Sequence, residues 1–242
     1  MSYEPRTYRG YTKSDDLVSF RVTVLETDLF ISADKDLSKE AVDCVRMLRG
    51  DLETYIARHP EFKISLRPLP VDIIAPLIVR DMADAAEKAC VGPMAAVAGA
   101  IAQGIGEELL KFSTQVIVEN GGDIFISSKK PRIIGIYAGE SKFSEKINLE
   151  IAAQDTPCGV CTSSGTVGHS LSFGSADAAV IMSESASLAD AAATAICNRV
   201  HCKDDIDSAI SYGRAIKGIN GILIIAGDVF GAWGKIKLVD RV

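Results

Sequence analysis

Residues 156–200 read TPCGVCTSSGTVGHSLSFGSADAAVIMSESASLADAAATAICNRV, and this stretch decides the fold. It begins with glycines and hydroxyl side chains around His169 and continues into a predicted strand. It ends in a predicted helix, at about residues 187–198, that carries Asp190 and Thr194. These two side chains share one helix face, and their oxygens suit a hard divalent cation. Because small residues, amides and hydroxyls can cradle phosphate oxygens, the stretch predicts a nucleotide site with a metal.

The length and composition of the chain fit a single domain. The 242 residues are 48% hydrophobic and 24% charged, an ordinary balance for a globular protein. A chain of this size can bury an ample core as one sizeable domain or as two small, closely packed ones. Because no low-complexity linker divides the sequence and no repeat of about 20–50 residues recurs in it, we predict one domain over residues 1–242.

The charge and the apolar segments of the chain limit its partners and location. The formal net charge is -6, which excludes bulk attraction to nucleic acid, although a cation could still bridge the protein to a nucleotide. Residues 1–16 are polar and charged, without the apolar core of a secretory signal. The most apolar run, residues 89–102, is too short to cross a bilayer. We therefore predict a cytoplasmic protein without a membrane partner.

Six cysteines in a chain of this length do not indicate a disulfide scaffold. Cys158 and Cys161 have the spacing of a CxxC motif, but no second pair completes a zinc site. If this segment is extended, the two thiols point to opposite faces. The sequence favours packed, reduced thiols and leaves redox, sulfur or metal chemistry as the alternative.

The periodicity of apolar residues predicts strands in hairpins with helices between them. The predicted strands cover residues 17–25, 29–33, 62–66, 116–126 as a hairpin, 133–138, 147–151, 178–182, 221–226 and 229–238. The predicted helices cover about residues 38–58, which Ser38 could cap, 76–89, 94–111 and 187–198, with a short helical stretch after residue 208. This order predicts an α+β fold with a largely antiparallel sheet.

Glycines interrupt two of these predicted elements. Gly99 and Gly104 each weaken a helix by about 1 kcal/mol relative to alanine, which indicates close approach of a ligand or, more simply, tight packing against the sheet. Asn120, Gly121 and Gly122 form a strong hairpin-turn signal. The turn by itself does not explain the polar side chains gathered around it, which are Glu119, Asn120, Asp123.

Structural interpretations compete with each functional one. Asp190 could be a first-turn acid favoured by the helix dipole, with Thr194 as a spacer. His169 could be structural rather than catalytic. A Ser-His-Asp arrangement could be built from Ser163 or Ser164 with His169 and Asp177, but it lacks the strand–elbow–helix context of such sites.

Five segments together resemble the ApbE-like superfamily, whose characterised members are magnesium-dependent FAD:protein FMN transferases. They are the helix AGAIAQG (98–104), the turn ENGGD (119–123), the loop CTSSG (161–165), His169 and the helix LADAAATA (188–195). The transferases have a GG-x-A-K-G helix, an N-x-G-G-D turn, a T-S-G loop, an H-I-I-D-P segment and an A-D-A-x-x-T helix. The sequences VGPMAAVAGAIA, VENGGDI and CTSSGTVGHSLSFG resemble most closely a branch found in archaea and anaerobic bacteria. The resemblance implies a T-fold-type domain.

The resemblance also implies roles for individual residues. Asp190 and Thr194 match the magnesium ligands, and a backbone carbonyl near Gly99 matches the third. His169 matches the family histidine, to which we assign a catalytic role. The implied nucleotide-binding residues are Gly121, Gly122, Asp123, Thr162, Ser163, Ser164 and Gly165, with Gln103 at the position of the family lysine.

The chain departs from the transferases at this lysine and after the histidine. Gln103 is neutral, and Ser170 to Phe173 replace the segment that contains Asp-Pro. The chain is also shorter than a typical transferase, and no lipoprotein leader is expected. We predict a protein that binds Mg²⁺ and FAD or FMN, with FMN transfer to an acceptor protein weak or lost. The alternatives are a protein of anaerobic sulfur or redox metabolism that uses Cys158 or Cys161, and a binding protein without catalysis.

Overall fold

A computed structural model describes residues 16–167 and 172–240 of the chain. The strands are β1 (Val18–Val24), β2 (Thr27–Ala33), β3 (Val116–Asn120), β4 (Asp123–Ser127), β5 (Arg132–Gly135), β6 (Ile147–Ile151), β7 (Cys158–Ser163), β8 (Ala178–Ser183), β9 (Ile219–Ala226), β10 (Val229–Gly234) and β11 (Leu238–Asp240). The helices are α1 (Ser38–Arg58), α2 (Glu61–Ile64), α3 (Leu77–Ala89), α4 (Val97–Leu109), α5 (Ala186–Cys197) and α6 (Ile206–Ala215), with 3₁₀ turns at Pro93–Ala96, Ala153–Asp155 and Lys203–Asp205.

An eight-stranded sheet divides the molecule into two cores. Its order is β1-β2-β3-β4-β7-β8-β9-β10, and every neighbouring pair is antiparallel. The helices cover one face, and a three-stranded sheet, β11-β6-β5, covers the other. Because both cores share the large sheet, the described residues form one α+β domain. The predicted fold class is confirmed.

Strand β7 contributes buried side chains to both cores. Side chains alternate between the two faces of a strand, so Cys158 and Val160 pack against the small sheet. Cys161 points the other way, into the core beneath the helices. The prediction that the two thiols of the CxxC motif lie on opposite faces is confirmed.

Helix α5 is the central helix of the molecule, and it packs against β7, β8, α3 and α4. It is apolar on nearly all sides, which is typical of a buried helix. Ser185 caps its beginning, because its hydroxyl accepts the N–H of Leu188 at 3.2 Å. The alanines of this helix allow the neighbouring backbones to approach closely, and the half-buried side chain of Asp190 lies between α5 and α4.

Helices α3 and α4 form the layer beside α5, and most of the side chains that they bury are apolar. No single helix within residues 16–167 and 172–240 is long and apolar enough to cross a membrane. The segments Leu77–Ala89 and Pro93–Leu109 pass that test only as a pair, and they meet at an angle of 104°.

Three local predictions are wrong. The segment 62–66 does not form a strand, because Pro60 begins the short helix α2 and Phe62 fills a buried site against Tyr55, with ring centroids 5.2 Å apart. Ser38 does not cap α1, since Leu37 is the N-cap residue and the hydroxyl of Ser38 donates to Asp36.

The last predicted strand, 229–238, is also wrong in its second half. Strand β10 ends at Gly234, whose φ of +78° is accessible chiefly to glycine. A Cβ atom there would lie 2.2 Å from the carbonyl oxygen of Asn220. The chain turns at this glycine, and β11 pairs with β6 in the small sheet instead of continuing the large one.

Candidate functional site

Four of the predicted site residues lie where the first turn of α4, the β3–β4 turn, the end of β7 and the middle of α5 come together. Two glycines make this approach possible. A Cβ atom on Gly99 would lie 2.2 Å from the carbonyl oxygen of Ala186, and one on Gly159 would lie 2.2 Å from the Cα atom of Ala186. Helix α5 is therefore in direct backbone contact with both α4 and β7. For Gly99, the close approach is to a helix rather than to the sheet.

Asp190 spans the gap between the two helices. Its Oδ2 atom accepts the N–H of Gly99 at 2.9 Å, and the N–H of Ala98 also bonds the carboxylate. These two amides belong to the first turn of α4, where backbone N–H groups lack partners within the helix. The interpretation of Asp190 as a first-turn acid of its own helix is wrong, since the first turn of α5 contains no acid. Asp190 instead caps α4.

Burial and like charge shift the pKa values of two carboxyl groups here. Burial raises the pKa of Asp190 to about 7, and the N–H groups of Gly99 and Ala98 oppose the shift. Burial also raises the pKa of Asp123 well above its usual value, and the charge of Asp190 raises it further. No lysine or arginine is among the main causes of either shift. The two carboxyl groups therefore form an acidic pair whose ionisation is unfavourable, with no basic residue among the main causes of the shifts.

Each polar side chain around the β3–β4 turn forms a hydrogen bond to a backbone group. Glu119 accepts the N–H of Gly122 at 2.8 Å and shapes the turn. Asn120 donates to the carbonyl oxygen of Ala98 at 3.1 Å and ties the turn to α4. Asp123 accepts the N–H of Thr162 at 3.3 Å and ties it to β7. These bonds answer why three polar residues gather at a turn that glycines alone could form.

The turn itself presents an open backbone. Gly121 and Gly122 have φ values of +68° and +105°, as the two-residue turns of hairpins require. Among the described residues, no heavy atom outside Gly122 and its chain neighbours lies within 4 Å of the position that a Cβ atom on Gly122 would take. A ligand can therefore approach the main chain closely at this point.

Thr162 and Ser163 belong to β7, so the predicted loop begins only at Ser164. The hydroxyl of Ser164 accepts the N–H groups of Thr166 at 3.1 Å and Val167 at 2.9 Å. Gly165 is exposed, and its N–H donates to the carbonyl oxygen of Ala176 at 2.8 Å. The loop therefore folds back on itself through Ser164.

Asp177 holds the same loop from the other side. It accepts the hydroxyl of Thr166 at 2.9 Å and the N–H of Gly227 at 2.7 Å. Both carboxylate oxygens are engaged, which argues against a catalytic arrangement of Ser164 with Asp177. The catalytic prediction for His169 falls on residues 168–171, outside the described part of the chain, and stays a prediction.

Gln103 lies at the beginning of α5. Its Oε1 atom accepts the N–H of Ala186 at 2.8 Å and the hydroxyl of Ser185 at 3.3 Å, and its Nε2 atom donates to Glu107 at 2.9 Å. Thr194, one turn beyond Asp190, is half-buried. Among the predicted residues, these contacts bring together Gly99, Asp123, Thr162 and Asp190, while Gln103 bonds to protein groups at the end of the helix.

The sequence does not predict the backbone hydrogen bonds of Asn120 and Asp177, which position the turn and the loop. Their bonds reach Ala98 and Gly227, which are 22 and 50 residues away in the chain. The available signal was chemical, since an amide or acid beside a glycine turn commonly bonds neighbouring backbone. This pattern indicates which residue forms a hydrogen bond to the backbone, but it does not indicate the distant residue that is its partner.

Cys158 and Cys161 are completely buried. Burial raises the pKa of the Cys158 thiol to about 12 and that of Cys161 well above its usual value. The thiol of Cys161 also donates to the carbonyl oxygen of Ala186 at 3.4 Å. A thiol reacts as its thiolate, so the geometry favours packed, reduced side chains for this pair.

We expect thiol labelling of the native protein to separate the cysteines into two classes. Cys90 and Cys202 are exposed and should react first, whereas Cys158 and Cys161 should react only as the protein unfolds. Cys→Ala at either buried position should cost about 1 kcal/mol of stability. Mass spectrometry of the labelled peptides measures the order of reaction. Rapid native labelling of Cys158 or Cys161 would contradict this expectation and revive the sulfur-carrier hypothesis.

Relatives of the chain match it over most of its length. The family model described as AbpE bacteria matches residues 9–228. The UPF0280 protein of Methanocaldococcus jannaschii is 44% identical over 222 residues, which cover 89% of this chain and 90% of the relative. A UPF0280 protein of Methanosarcina acetivorans is 42% identical over 219 residues, which cover 89% of this chain and 86% of the relative.

Solved structures with the same fold are more distant in sequence. The flavin transferase ApbE from Vibrio cholerae superposes with a TM-score of 0.62 at 11% identity, over 90% of this chain and 96% of that one. The apo flavinyl transferase ApbE of Pseudomonas stutzeri gives a TM-score of 0.56 at 14% identity, over 90% and 94%. The shared fold confirms the architecture expected from the five sequence motifs. With the match over residues 9–228, it follows that this chain belongs to the AbpE bacteria family and is a relative of the archaeal UPF0280 proteins.

Proposed function

We propose that this protein binds a flavin nucleotide, FAD or FMN, together with Mg²⁺ between α4, the β3–β4 turn, the end of β7 and α5. The fold shared with flavin transferases supports the choice of ligand. The acids of the site support the choice of a cation. The open backbone at Gly122 supports close contact with a nucleotide.

The single observation that carries the proposal is the pair of carboxyl groups at Asp123 and Asp190. A buried charge is unfavourable unless it is paired or binds a metal. Both groups have raised pKa values, and neither shift has a basic residue among its main causes. A divalent cation would supply a positive charge that none of the main causes of these shifts provides.

The donor atoms present suit Mg²⁺. We propose Asp190 and Thr194 as ligands, with a backbone carbonyl near Gly99 as a third. Within residues 16–167 and 172–240, no group of three or more His, Cys, Asp or Glu residues could hold a metal. The other positions would therefore be filled by water and by phosphate oxygens of the nucleotide, as is usual for Mg²⁺. When bound, the cation would act as a Lewis acid that neutralises charge on a pyrophosphate.

The remaining residues would shape the nucleotide site. Gly121 and Gly122 would admit the ligand to the main chain, and Asp123 would hold Thr162 beside it. Ser163, Ser164 and Gly165 would form the wall on the β7 side. His169 would orient a phosphate or assist proton transfer.

We propose that FMN transfer is weak or absent. In a transfer, the hydroxyl of a Thr or Ser on an acceptor protein would attack the FMN phosphorus, the pyrophosphate bond would break, and AMP would leave. Gln103 is neutral where a lysine is expected, and both of its polar atoms bond to protein groups. The segment after His169 lacks Asp-Pro. Binding is expected to survive these differences because the turn and the acids remain.

The test is the absorbance spectrum of the purified protein before and after incubation with FAD and Mg²⁺. We expect bound flavin with a band near ~450 nm, and its loss in Asp190→Ala, because charge-assisted contacts to the ligand are lost. Asp84→Ala is the control, since Asp84 is an exposed acid on α3 whose partner is Lys88. With a Thr-containing acceptor peptide added, we expect little covalent FMN.

Two outcomes would contradict the proposal. A protein that never takes up flavin, with or without Mg²⁺, would refute the binding site. Rapid flavinylation of the peptide that disappears in Asp190→Ala would show that transfer survives the change at Gln103. The sulfur or redox alternative has no support from Cys158 and Cys161, which are buried with raised pKa values.

A further inference from the structure

We propose that Gln103 is a positioning residue that holds α5 in register against α4 and thereby sets the place of Asp190. This role differs from direct contact with a nucleotide, which the family resemblance implies for this position. It rests on the proposed function only so far as Asp190 serves as a cation ligand.

The hydrogen bonds of Gln103 are directed at the first residues of α5. Its Oε1 atom accepts from the N–H of Ala186 at 2.8 Å and from the hydroxyl of Ser185 at 3.3 Å. Ser185 is the N-cap residue, so its hydroxyl already accepts the N–H of Leu188. Gln103 therefore satisfies a helix N–H that has no partner within its own helix, and it does so from 83 residues away in the chain.

A second contact point fixes the same helix. Gly99 and Gln103 are four residues apart on α4 and thus lie on one face of it. At Gly99, a Cβ atom would lie 2.2 Å from the carbonyl oxygen of Ala186 and 2.9 Å from the Cβ atom of Asp190. With Gln103 bonded to the N–H of Ala186 and Gly99 against its carbonyl, α5 cannot slide or turn freely. Asp190 is one turn further along α5 and follows any movement of Ala186.

The chemistry of this position requires an acceptor and a donor at once. The amide of Gln103 accepts from α5 and donates to Glu107 at 2.9 Å. A lysine has donors only and could not accept the N–H of Ala186. A glutamate could accept it but would face the like charge of Glu107. The double variant Q103E/E107Q exchanges the two residues. The carboxylate at position 103 would then accept the N–H of Ala186, and the amide at position 107 would donate to that carboxylate.

The amide of Gly99 gives a direct measure of the position of Asp190, since it donates to that carboxylate. In Gln103→Leu and Gln103→Lys, we expect the ¹⁵N–¹H resonance of Gly99 to shift and its hydrogen exchange to become about tenfold faster, because the loss of one bond of this kind corresponds to roughly that factor. The Mg²⁺ affinity from calorimetry should weaken by about the same factor. The double variant Q103E/E107Q should restore both values.

Leu48→Ala is the control for a loss of stability alone. Leu48 of α1 packs against α4 at Gly104, where a Cβ atom would lie 3.0 Å from its Cδ1 atom. This variant should lower the unfolding temperature while leaving the Gly99 resonance in place. A Gln103→Leu protein with an unchanged Gly99 amide would overturn the proposal, as would a Leu48→Ala protein that shifts this amide equally. A shifted amide in a protein that never binds Mg²⁺ would support the positioning role and refute the cation site.

Discussion

Asp190→Asn should raise the unfolding temperature of the metal-free protein at pH 8 by about 4–8 °C, which corresponds to roughly 2 kcal/mol for a domain of this size. Burial raises the pKa of this carboxyl group to about 7. At pH 8 the folded protein must therefore hold an ionised group in an unfavourable environment. Asparagine has the same shape without the charge, and its side-chain oxygen can still accept the N–H of Gly99.

The sign of the pH dependence follows from the same shift. The pKa of Asp190 rises from the usual 3.8 to about 7 on folding, so the folded state retains a proton that the unfolded chain has released. The stability from this group is fully present below pH about 4 and is lost as the pH rises through 7. Each pKa unit corresponds to about 1.4 kcal/mol, which sets an upper bound of about 4 kcal/mol. The hydrogen bond that asparagine cannot make to Ala98 lowers the expected gain.

Thermal unfolding between pH 4 and pH 8, with and without Mg²⁺, measures this effect. The difference between parent and Asp190→Asn should be small at pH 4 and largest at pH 8. Added Mg²⁺ should stabilise the parent at pH 8 and leave the variant nearly unchanged, because the variant lacks the charged ligand of the proposed site. An Asp190→Asn protein that is less stable than the parent at every pH would mean that the carboxylate serves only as a cap for α4.

Asp123→Asn should act in the same direction. The charge of Asp190 is the second cause of the raised pKa of Asp123, after burial. Removing the charge of Asp190 therefore also relieves Asp123, and the effects of the two substitutions should not add.

Local patterns in the sequence predict most of the secondary structure. The alternation of apolar residues places β1 with β2 and β3 with β4 correctly, and Gly121 and Gly122 form the predicted turn. Helix α5 lies within one residue of its predicted ends. These elements depend on contacts between neighbours in the chain, which periodicity and turn chemistry describe well.

Two segments are predicted wrongly because the contacts that decide their structure lie outside the segments themselves. Phe62 and Ile64 alternate as a strand would, but only Phe62 is buried, beneath the ring of Tyr55. Strand β11 finds its partner in β6, about 90 residues earlier in the chain. Neither partner can be identified from the residues next to these segments.

The residues of the candidate site also separate into those that local patterns indicate and those whose contacts depend on distant parts of the chain. The spacing of Asp190 and Thr194 and the glycine turn indicate which side chains to examine. The cap that Asp190 forms on α4 joins residues 91 apart, and the bond from Gln103 to Ala186 joins residues 83 apart. The sequence therefore indicates the candidate groups of the site, while the packing of α4 on α5 decides what each group contacts.

Gly99→Ala should lower the stability of the protein by about 2–3 kcal/mol, although alanine favours a helix over glycine by about 1 kcal/mol. The new methyl group would lie 2.2 Å from the carbonyl oxygen of Ala186, which is backbone and cannot rotate away. Helix α5 would have to move outward, and Asp190 would move with it. The expected fall in unfolding temperature is about 5–10 °C, together with weaker Mg²⁺ binding.

Gly50→Ala is the matched control for this substitution. Gly50 lies within α1, and in the described part of the chain no heavy atom beyond the backbone of its own helix turn is found within 4 Å of the position that its Cβ atom would take. Here alanine should stabilise the protein by about 0.5–1 kcal/mol, since only the helix propensity changes. Chemical denaturation of both variants gives the two free energies directly. If Gly99→Ala were as stable as Gly50→Ala, the close contact between α4 and α5 would not be what holds Asp190 in place.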